Sequence, residues 1–551
     1  MFADRWKSSR PWLLALLSSL LLELPYPLAG PLPAWRSLFA WFALAPLLLA
    51  LLSEAASACP RPLRRGFLIG YLFGTLWFMG NCYWVRDTMA HYGEMPPLAP
   101  TGILILFSLY LGLYGGLFGL MLALVHRATG CKLKTLATAP FLWVAMELAC
   151  ARITGFPWDQ LGMSQIDNPW LTLLAPWTGV YGISFLIAAA NALLALALAS
   201  EGKRRLRLGC SFAILLAGAG IAGLLQRTPH PAPSREALLV QPNLDVAGDG
   251  SWQGPGAWQR HIDGFAHAAS LACTPFHAGL PLAGVPFVTA PCNGKPPALV
   301  AWPESPAPFL EHHPAFRMGM QQVAQSAHAP LIIGGNGVKI DPAGQADQYY
   351  NSAIVFNPQG EELGRYDKIH LVPFGEYIPF SHLLSFARAL TAQVGEMARG
   401  TERTTFSLDG HSYGIFICYE SVFADEVRLF AKNGAEVFVN ISDDGWYGDS
   451  SAPWQHLNMA RMRAIENRRW ILRDTNNGVT AVIDPWGNLR QSIDRHQESA
   501  LRAGFAFNRQ LTFYTLHGDL FALGCAILTI GLLGWSLTRL PRPELQDKDR
   551  S

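Results

Sequence analysis

Three residues far apart in the chain carry side chains whose chemistry is complementary. Cys418 ends the apolar run Gly414-Ile415-Phe416-Ile417 and precedes Tyr419-Glu420, so it stands where a buried strand gives way to a loop. Glu304 ends a second such run, Leu299-Val300-Ala301-Trp302-Pro303-Glu304, and Lys368 lies in Arg365-Tyr366-Asp367-Lys368-Ile369-His370. In layered α/β proteins the carboxyl ends of the strands open into a crevice where reacting groups sit. Taken singly, a strand-end thiol is most often a buried structural residue and a lone charge a solvated one. Together they are a nucleophile, a base to take its proton, and a fixed cation for the oxyanion of a tetrahedral intermediate. Thiol-based acyl transfer requires that set.

The elements that must position them lie in the middle of the chain. Between Glu236 and about Asn508 short β-branched runs alternate with helical stretches, punctuated by Gly, Pro and Asn, as in an α/β layered domain. The spacing predicts strands at Ala237 to Gln241, Leu299 to Trp302, Leu331 to Gly334, Ser352 to Phe356, Tyr413 to Cys418, Glu436 to Ile441, Trp470 to Thr475 and Thr480 to Asp484. Helices are predicted at Gly256 to Leu271, Ala315 to Ala327, Val422 to Lys432 and Trp454 to Asn467. The stretch from Cys273 to Pro297, rich in Pro, Gly and Ala, reads as an inserted loop.

The rest of the 551 residues is different in texture. Half of the chain is hydrophobic and only 15% charged, against roughly 25% in a soluble domain. A membrane-spanning helix needs about 20 mainly apolar residues. Eight stretches meet that description: Pro11 to Ala29, Trp35 to Leu52, Phe67 to Val85, Thr101 to Val125, Leu136 to Ala151, Leu171 to Ala199, Leu208 to Leu225 and Leu520 to Leu537. If all eight span, the basic residues fall on one side. Arg5, Lys7 and Arg10, then Arg61, Arg64 and Arg65, then Arg127, Lys132 and Lys134, then the run from Lys203 to Arg207, and finally Arg539 and Arg542 share it. The positive-inside rule then makes both termini cytoplasmic and puts the segment from about Gln226 to Gly518 outside, the periplasmic face of a bacterial inner membrane. The expected organisation is a membrane domain over 1–226, a catalytic domain over 236–508, a last helix over 518–540 and a cytoplasmic tail over 541–551.

A formal charge of +2, from 42 basic and 40 acidic residues, excludes a generally basic nucleic-acid binder. Cys/His spacing matches no zinc site, and no Gly-rich phosphate loop precedes a helix, so neither metal nor cofactor is expected. Of the nine cysteines, Cys273, Cys292 and Cys418 lie outside the apolar segments. A Cys273–Cys292 disulfide and two free thiols are both open, because sequence does not determine pairing. Glu147 within an apolar stretch is consistent with a polar cavity, an interfacial snorkel or a pair in the bundle. Trp158, in Phe156-Pro157-Trp158-Asp159, reads as an interfacial anchor rather than a substrate contact.

The Glu304, Lys368 and Cys418 segments resemble the Glu, Lys and Cys stations of the nitrilase superfamily of carbon–nitrogen hydrolases. The resemblance is closer to one branch, the apolipoprotein N-acyltransferase family. It is carried by the Lys-x-His-Leu-Val-Pro-Phe-Gly-Glu-Tyr stretch from Lys368 to Tyr377, by Cys418-Tyr419-Glu420, and by Trp446-Tyr447-Gly448-Asp449 with Gln455-His456. Met459-Ala460-Arg461-Met462-Arg463-Ala464 and Thr475-Asn476-Asn477-Gly478-Val479-Thr480 complete it. The implied fold is an eight-helix membrane domain joined to an α-β-β-α sandwich, so the likeness covers nearly the whole chain.

The resemblance implies that Cys418 accepts the acyl group, Glu304 is the general base and Lys368 stabilises the oxyanion. It implies that Glu376 holds or tunes the catalytic group, that Tyr419 and Glu420 support the nucleophile, that Trp446 and Tyr447 lie on a loop over the pocket, and that Glu466 is a supporting charge. Donor and acceptor would be a phospholipid, phosphatidylethanolamine in the family, and a diacylglyceryl-modified apolipoprotein, served by a single copy of the chain. Asp443 and Gly445 stand where the family more often has Asn and Ala, and both are expected to lie clear of the three central residues. The competing readings are a membrane-tethered amidase using the same residues, and a transporter whose outer domain only binds. The second requires polar residues along several apolar segments, which are nearly absent here.

Overall fold

The computed structural model describes residues 2–28, 30–53, 61–93, 96–226, 229, 231–244, 246, 295–304, 310–340, 348–378 and 397–539. The predicted helix Gly256 to Leu271, the Cys273–Cys292 pair, nearly all of the inserted loop and the tail from 540 lie outside them.

The apolar stretches fold as helices α1 (Phe2–Glu23), α2 (Ala45–Leu52), α3 (Pro62–Asn81), α4 (Trp84–Tyr92), α5 (Ala99–Thr129), α6 (Lys132–Ala149), α7 (Val180–Leu198) and α8 (Gly202–Leu225). Among the described residues, six helical segments are long and apolar enough to cross a bilayer: Ala34–Leu52, Ala99–Thr129, Lys132–Thr154, Val180–Leu198, Gly202–Leu225 and Leu520–Thr538. The expected count was eight. The other two segments, α1 and α3, begin in the charged runs around Arg10 and Arg64, which lower their apolarity. The predicted stretch Leu171 to Ala199 is also broken. Gly179 adopts φ +63, ending the short turn Ala175–Thr178 before α7 begins.

Helices α3 and α5 pack through glycine. A Cβ at Gly70 would lie 2.1 Å from the Gly115 carbonyl oxygen, and one at Gly66 would lie 2.8 Å from that of Gly119. Only glycines spaced four apart let two backbones approach so closely. The outer surfaces of α5 and α8 expose Leu106, Ile214, Ile221 and Leu224, the apolar face that a helix turns to lipid.

The middle of the chain forms two six-stranded sheets. The first contains β1 (Arg235–Gln241), β2 (Leu299–Ala301), β3 (Leu331–Lys339), β4 (Gln348–Phe356) and β5 (Glu362–Asp367). The second is β6 (Thr405–Leu408), β7 (His411–Ile417), β8 (Val437–Ser442), β9 (Ile471–Thr475), β10 (Thr480–Ile483) and β11 (Leu489–Ile493), while β12 (Ser499–Phe505) returns to pair with β1. Strands β1, β2 and β3 run parallel, as do β7, β8 and β9.

Side-chain alternation sets the layers. Leu239, Ala301, Ile332 and Val355 point between the sheets, where they meet Ile415, Ile417, Val439 and Leu472. Their neighbours Val240, Val300, Ile333 and Ile354 point the other way, onto α9 (Pro314–Ala327). On the far side α10 (Ala424–Lys432) and α11 (Ala452–Asn467) bury Val427, Phe430, Ala460 and Ala464. The result is the α-β-β-α sandwich. All eight predicted strands are present, but β5, β6, β11 and β12 were not anticipated. Those strands are short or partly exposed, so their residues lack a clear apolar run.

The chain then passes through α12 (Phe513–His517) to the last helix, α13 (Leu520–Thr538). The sandwich and the helices share one core. Tyr419, Val422, Phe423, Tyr447, Met459 and Ile465 cluster with residues of the apolar helices.

Candidate active site

Glu304 follows β2, Asn351 lies on β4, Lys368 follows β5, and Cys418 follows β7. The two sheets bring these positions together. The Lys368 ammonium, 1% exposed, donates to Glu304 Oε1 at 3.1 Å and Glu376 Oε1 at 3.0 Å. Asn351 Nδ2 donates to the same two oxygens, at 2.6 Å each. The remaining Glu304 oxygen accepts the Asp443 N–H at 2.9 Å, and the remaining Glu376 oxygen accepts the Val372 N–H at 2.8 Å. Two buried carboxylates are thus held by one cation, one amide and two backbone donors, which is what keeps buried charge tolerable.

The electrostatics follow from burial and pairing. Burial by itself pushes the Lys368 ammonium down, but Glu304 and then Glu376 hold it well above the usual lysine range, so it is charged. The Cys418 thiol is pushed well up, first by burial and then by Glu304, while Lys368 draws it down. At rest the sulfur keeps its proton, and a base is needed to remove it.

Cys418 has φ +47, a left-handed conformation that costs a non-glycine residue of order 1 kcal/mol or more and clusters at functional sites. It starts the tight turn Cys418–Val422. Glu420, fully buried, accepts the N–H groups of Ile417, Ile369 and His370 at 2.7, 2.7 and 3.1 Å, and the Tyr366 hydroxyl at 2.8 Å. It thereby ties the nucleophile turn to the lysine segment. The Tyr419 hydroxyl donates to the Gly155 carbonyl at 2.9 Å, at the end of a membrane helix.

The roof is aromatic and comes from both halves of the chain. Tyr447 is buried against Trp84, Trp158 and His456, with ring centroids 5.3, 6.2 and 5.9 Å away. Trp446 packs on Tyr92, and its carbonyl accepts the Thr88 hydroxyl at 3.0 Å. Trp158 was expected to be an interfacial anchor. It is instead 3% exposed and donates to Gln455 Oε1 at 2.8 Å, because Gln455 on α11 reaches down to meet it. Glu147 faces inward and accepts the Trp143 indole N–H at 2.8 Å and the Leu161 N–H at 2.7 Å.

Not every anticipated residue joins the cluster. Glu466 pairs with Arg463 at 3.0 Å and accepts the Val180 N–H at 3.1 Å, so it joins the sandwich to α7. The expectation that Asp443 stays clear of the central residues is overturned by its N–H on Glu304. A main-chain donor works whatever the side chain, which is why the residue type gave no warning. Asn351 was missed altogether. Its only sequence signal is a polar residue just before the apolar run Ala353 to Phe356.

Residues 11–193 match the model of the apolipoprotein N-acyltransferase N-terminal domain, and residues 288–505 match that of the carbon–nitrogen hydrolases. An apolipoprotein N-acyltransferase of Geobacter metallireducens is 32% identical over 94% of this chain and 93% of its own length. The chain belongs to the apolipoprotein N-acyltransferase family. The apolipoprotein N-acyltransferase of Methylococcus capsulatus is 33% identical over 92% of this chain and 93% of its own. Among solved structures, the nitrilase-superfamily protein Nit3 of Saccharomyces cerevisiae is 18% identical over 50% of this chain and 92% of its own, with a TM-score of 0.34.

Proposed function

We propose that this chain is a membrane-embedded N-acyltransferase that moves an acyl chain from a phospholipid, through a thioester on Cys418, to the α-amine of a diacylglyceryl-modified apolipoprotein. The observation that carries the reading is the single buried cluster of Glu304, Lys368 and Glu376 acting on Cys418, roofed by aromatic side chains from both the sandwich and the apolar helices.

The chemistry then runs in two halves. Glu304 takes the Cys418 proton, and the thiolate attacks the sn-1 ester carbonyl. The Lys368 ammonium and the Tyr419 N–H stabilise the oxyanion. Collapse breaks the C–O bond, and Glu304 returns the proton to the departing lysophospholipid oxygen. In the second half the acceptor amine attacks the thioester, a C–N bond forms, the C–S bond breaks, and the amine proton passes through Glu304 back to sulfur. This is a ping-pong sequence. Glu376 and Asn351 hold the base and the cation. The Trp158 and Tyr447 roof excludes the water that would hydrolyse the thioester.

The same reading makes phosphatidylethanolamine the donor and one copy of the chain the working unit. It sets the chain in a bacterial inner membrane, with α1 and α3 crossing beside the six more apolar segments, both termini cytoplasmic and residues 236–508 periplasmic. The basic residues that share one side in sequence support this orientation.

Mass spectrometry of purified protein incubated with phospholipid micelles tests the reading. A hydroxylamine-labile acyl adduct confined to Cys418, and absent from Cys418→Ser, is the expected result. No adduct together with turnover of small amides would replace it with a tethered amidase.

A further inference from the structure

Behind the nucleophile lies a buried polar chain. His456 Nε2 is 3.0 Å from the Cys418 carbonyl oxygen, and its Nδ1 is 2.9 Å from Asp444 Oδ1. Asp444 in turn accepts the Arg473 guanidinium at 2.7 Å and the Ser442 hydroxyl at 2.9 Å. His456, Asp444 and Arg473 are fully buried. A carbonyl oxygen can only accept, so Nε2 carries a proton. Nδ1 also lies 3.1 Å from Arg473 Nη2, so whether it donates to Asp444 or accepts from Arg473, the Nε2–H still points at Cys418.

The carbonyl so held belongs to a residue at φ +47, in a conformation its own backbone does not favour. A trans peptide is planar, with its C=O and N–H pointing in opposite directions. Fixing the Cys418 oxygen therefore fixes the direction of the Tyr419 N–H.

We propose that His456 is a positioning residue for the acyl-transfer reaction: its Nε2–H holds the Cys418 carbonyl and so aims the Tyr419 N–H at the oxyanion. Asp444 and Arg473 hold the imidazole in place from behind. The inference rests on the acyltransferase reading above. It gives His456 control of the oxyanion donor and leaves the proton transfer to Glu304.

The test compares His456→Leu, which has no donor, with His456→Gln, whose amide N–H can replace Nε2–H. Three quantities are read in the full-length protein in phospholipid micelles: the single-turnover rate of acyl-adduct formation, its dependence on phospholipid concentration, and the rate of Cys418 alkylation by iodoacetamide. Alkylation needs the thiolate but no oxyanion donor. His456→Leu is expected to slow adduct formation about 100-fold, as loss of an oxyanion donor does, with half-saturation and alkylation changing far less. His456→Gln is expected to recover most of that rate with a pH profile of unchanged shape. Wild-type adduct formation in a folded His456→Leu would overturn the proposal. So would a parallel fall in alkylation, or a folded His456→Gln no faster than His456→Leu. Wild-type protein that forms no adduct, yet is alkylated at Cys418, would instead reject the acyltransferase reading itself.

Discussion

Glu466, in the last turn of α11, accepts the backbone N–H of Val180, the first residue of α7, at 3.1 Å. A carboxylate of the sandwich thus satisfies one of the N–H groups that a helix start leaves unpaired. Burial raises the Glu466 carboxyl to about 7 from an ordinary value of 4.5, against the opposing pull of Arg463. Between those two values the folded chain keeps a proton that the unfolded chain has released, so stability falls as pH rises through that window. The change is on the order of 3 kcal/mol. Glu466→Gln keeps the acceptor for Val180 and is expected to flatten the curve. The unfolding midpoint in detergent, measured from pH 4.5 to 7.5, checks this; an unchanged slope in the variant would assign the dependence to other groups.

Asn351 bridges the two carboxylates with one nitrogen. Asn351→Leu keeps approximate volume but removes the donor, leaving Glu304 free to shift. Adduct formation on Cys418 is expected to fall about 100-fold, the usual effect of misplacing a reacting group by an ångström or so. Stopped single-turnover mass spectrometry reads this directly, and a rate within a few-fold of wild type would show that Lys368 alone suffices to hold the base.

Lys368 has a stabilising role apart from any in the chemistry. Lys368→Met leaves Glu304 and Glu376 buried without a cation, which is expected to cost about 3–5 kcal/mol. Adding Glu376→Gln removes one of the stranded charges. The double variant is therefore expected to regain stability without regaining the acyl adduct, a separation that thermal unfolding and adduct assays resolve together.

Gly179 marks a position where only glycine fits. Its φ of +63 with ψ of −168 is closed to other residues, and an added Cβ would lie 2.6 Å from the Tyr514 ring. Gly179→Ala is expected to destabilise by about 1–3 kcal/mol from backbone strain alone. A lowered unfolding midpoint with unchanged iodoacetamide reactivity of Cys418 would place the damage at the α7 start rather than in the active site.

The sequence by itself determined what local pattern and residue type can carry. Long apolar runs read as helices where no water pairs the backbone, and short β-branched runs bounded by Gly, Pro and Asn read as strands. From these came an α/β layered domain and its eight anticipated strands, while the α-β-β-α sandwich was what the family resemblance implied. The motifs around Lys368 and Cys418 are equally local, and they carry the family resemblance without any geometry. Tertiary structure decided what depends on partners distant in the chain. Trp158 is buried because Gln455 meets it, Asp443 reaches Glu304 through a main-chain N–H, Asn351 gains its role where β2 and β4 lie in one sheet, and His456 gains its role where α11 packs on the sheet that ends in Cys418. No sequence period encodes such contacts. They arise because buried polar groups must find hydrogen-bond partners, and which partners are within reach is settled only by the packed fold.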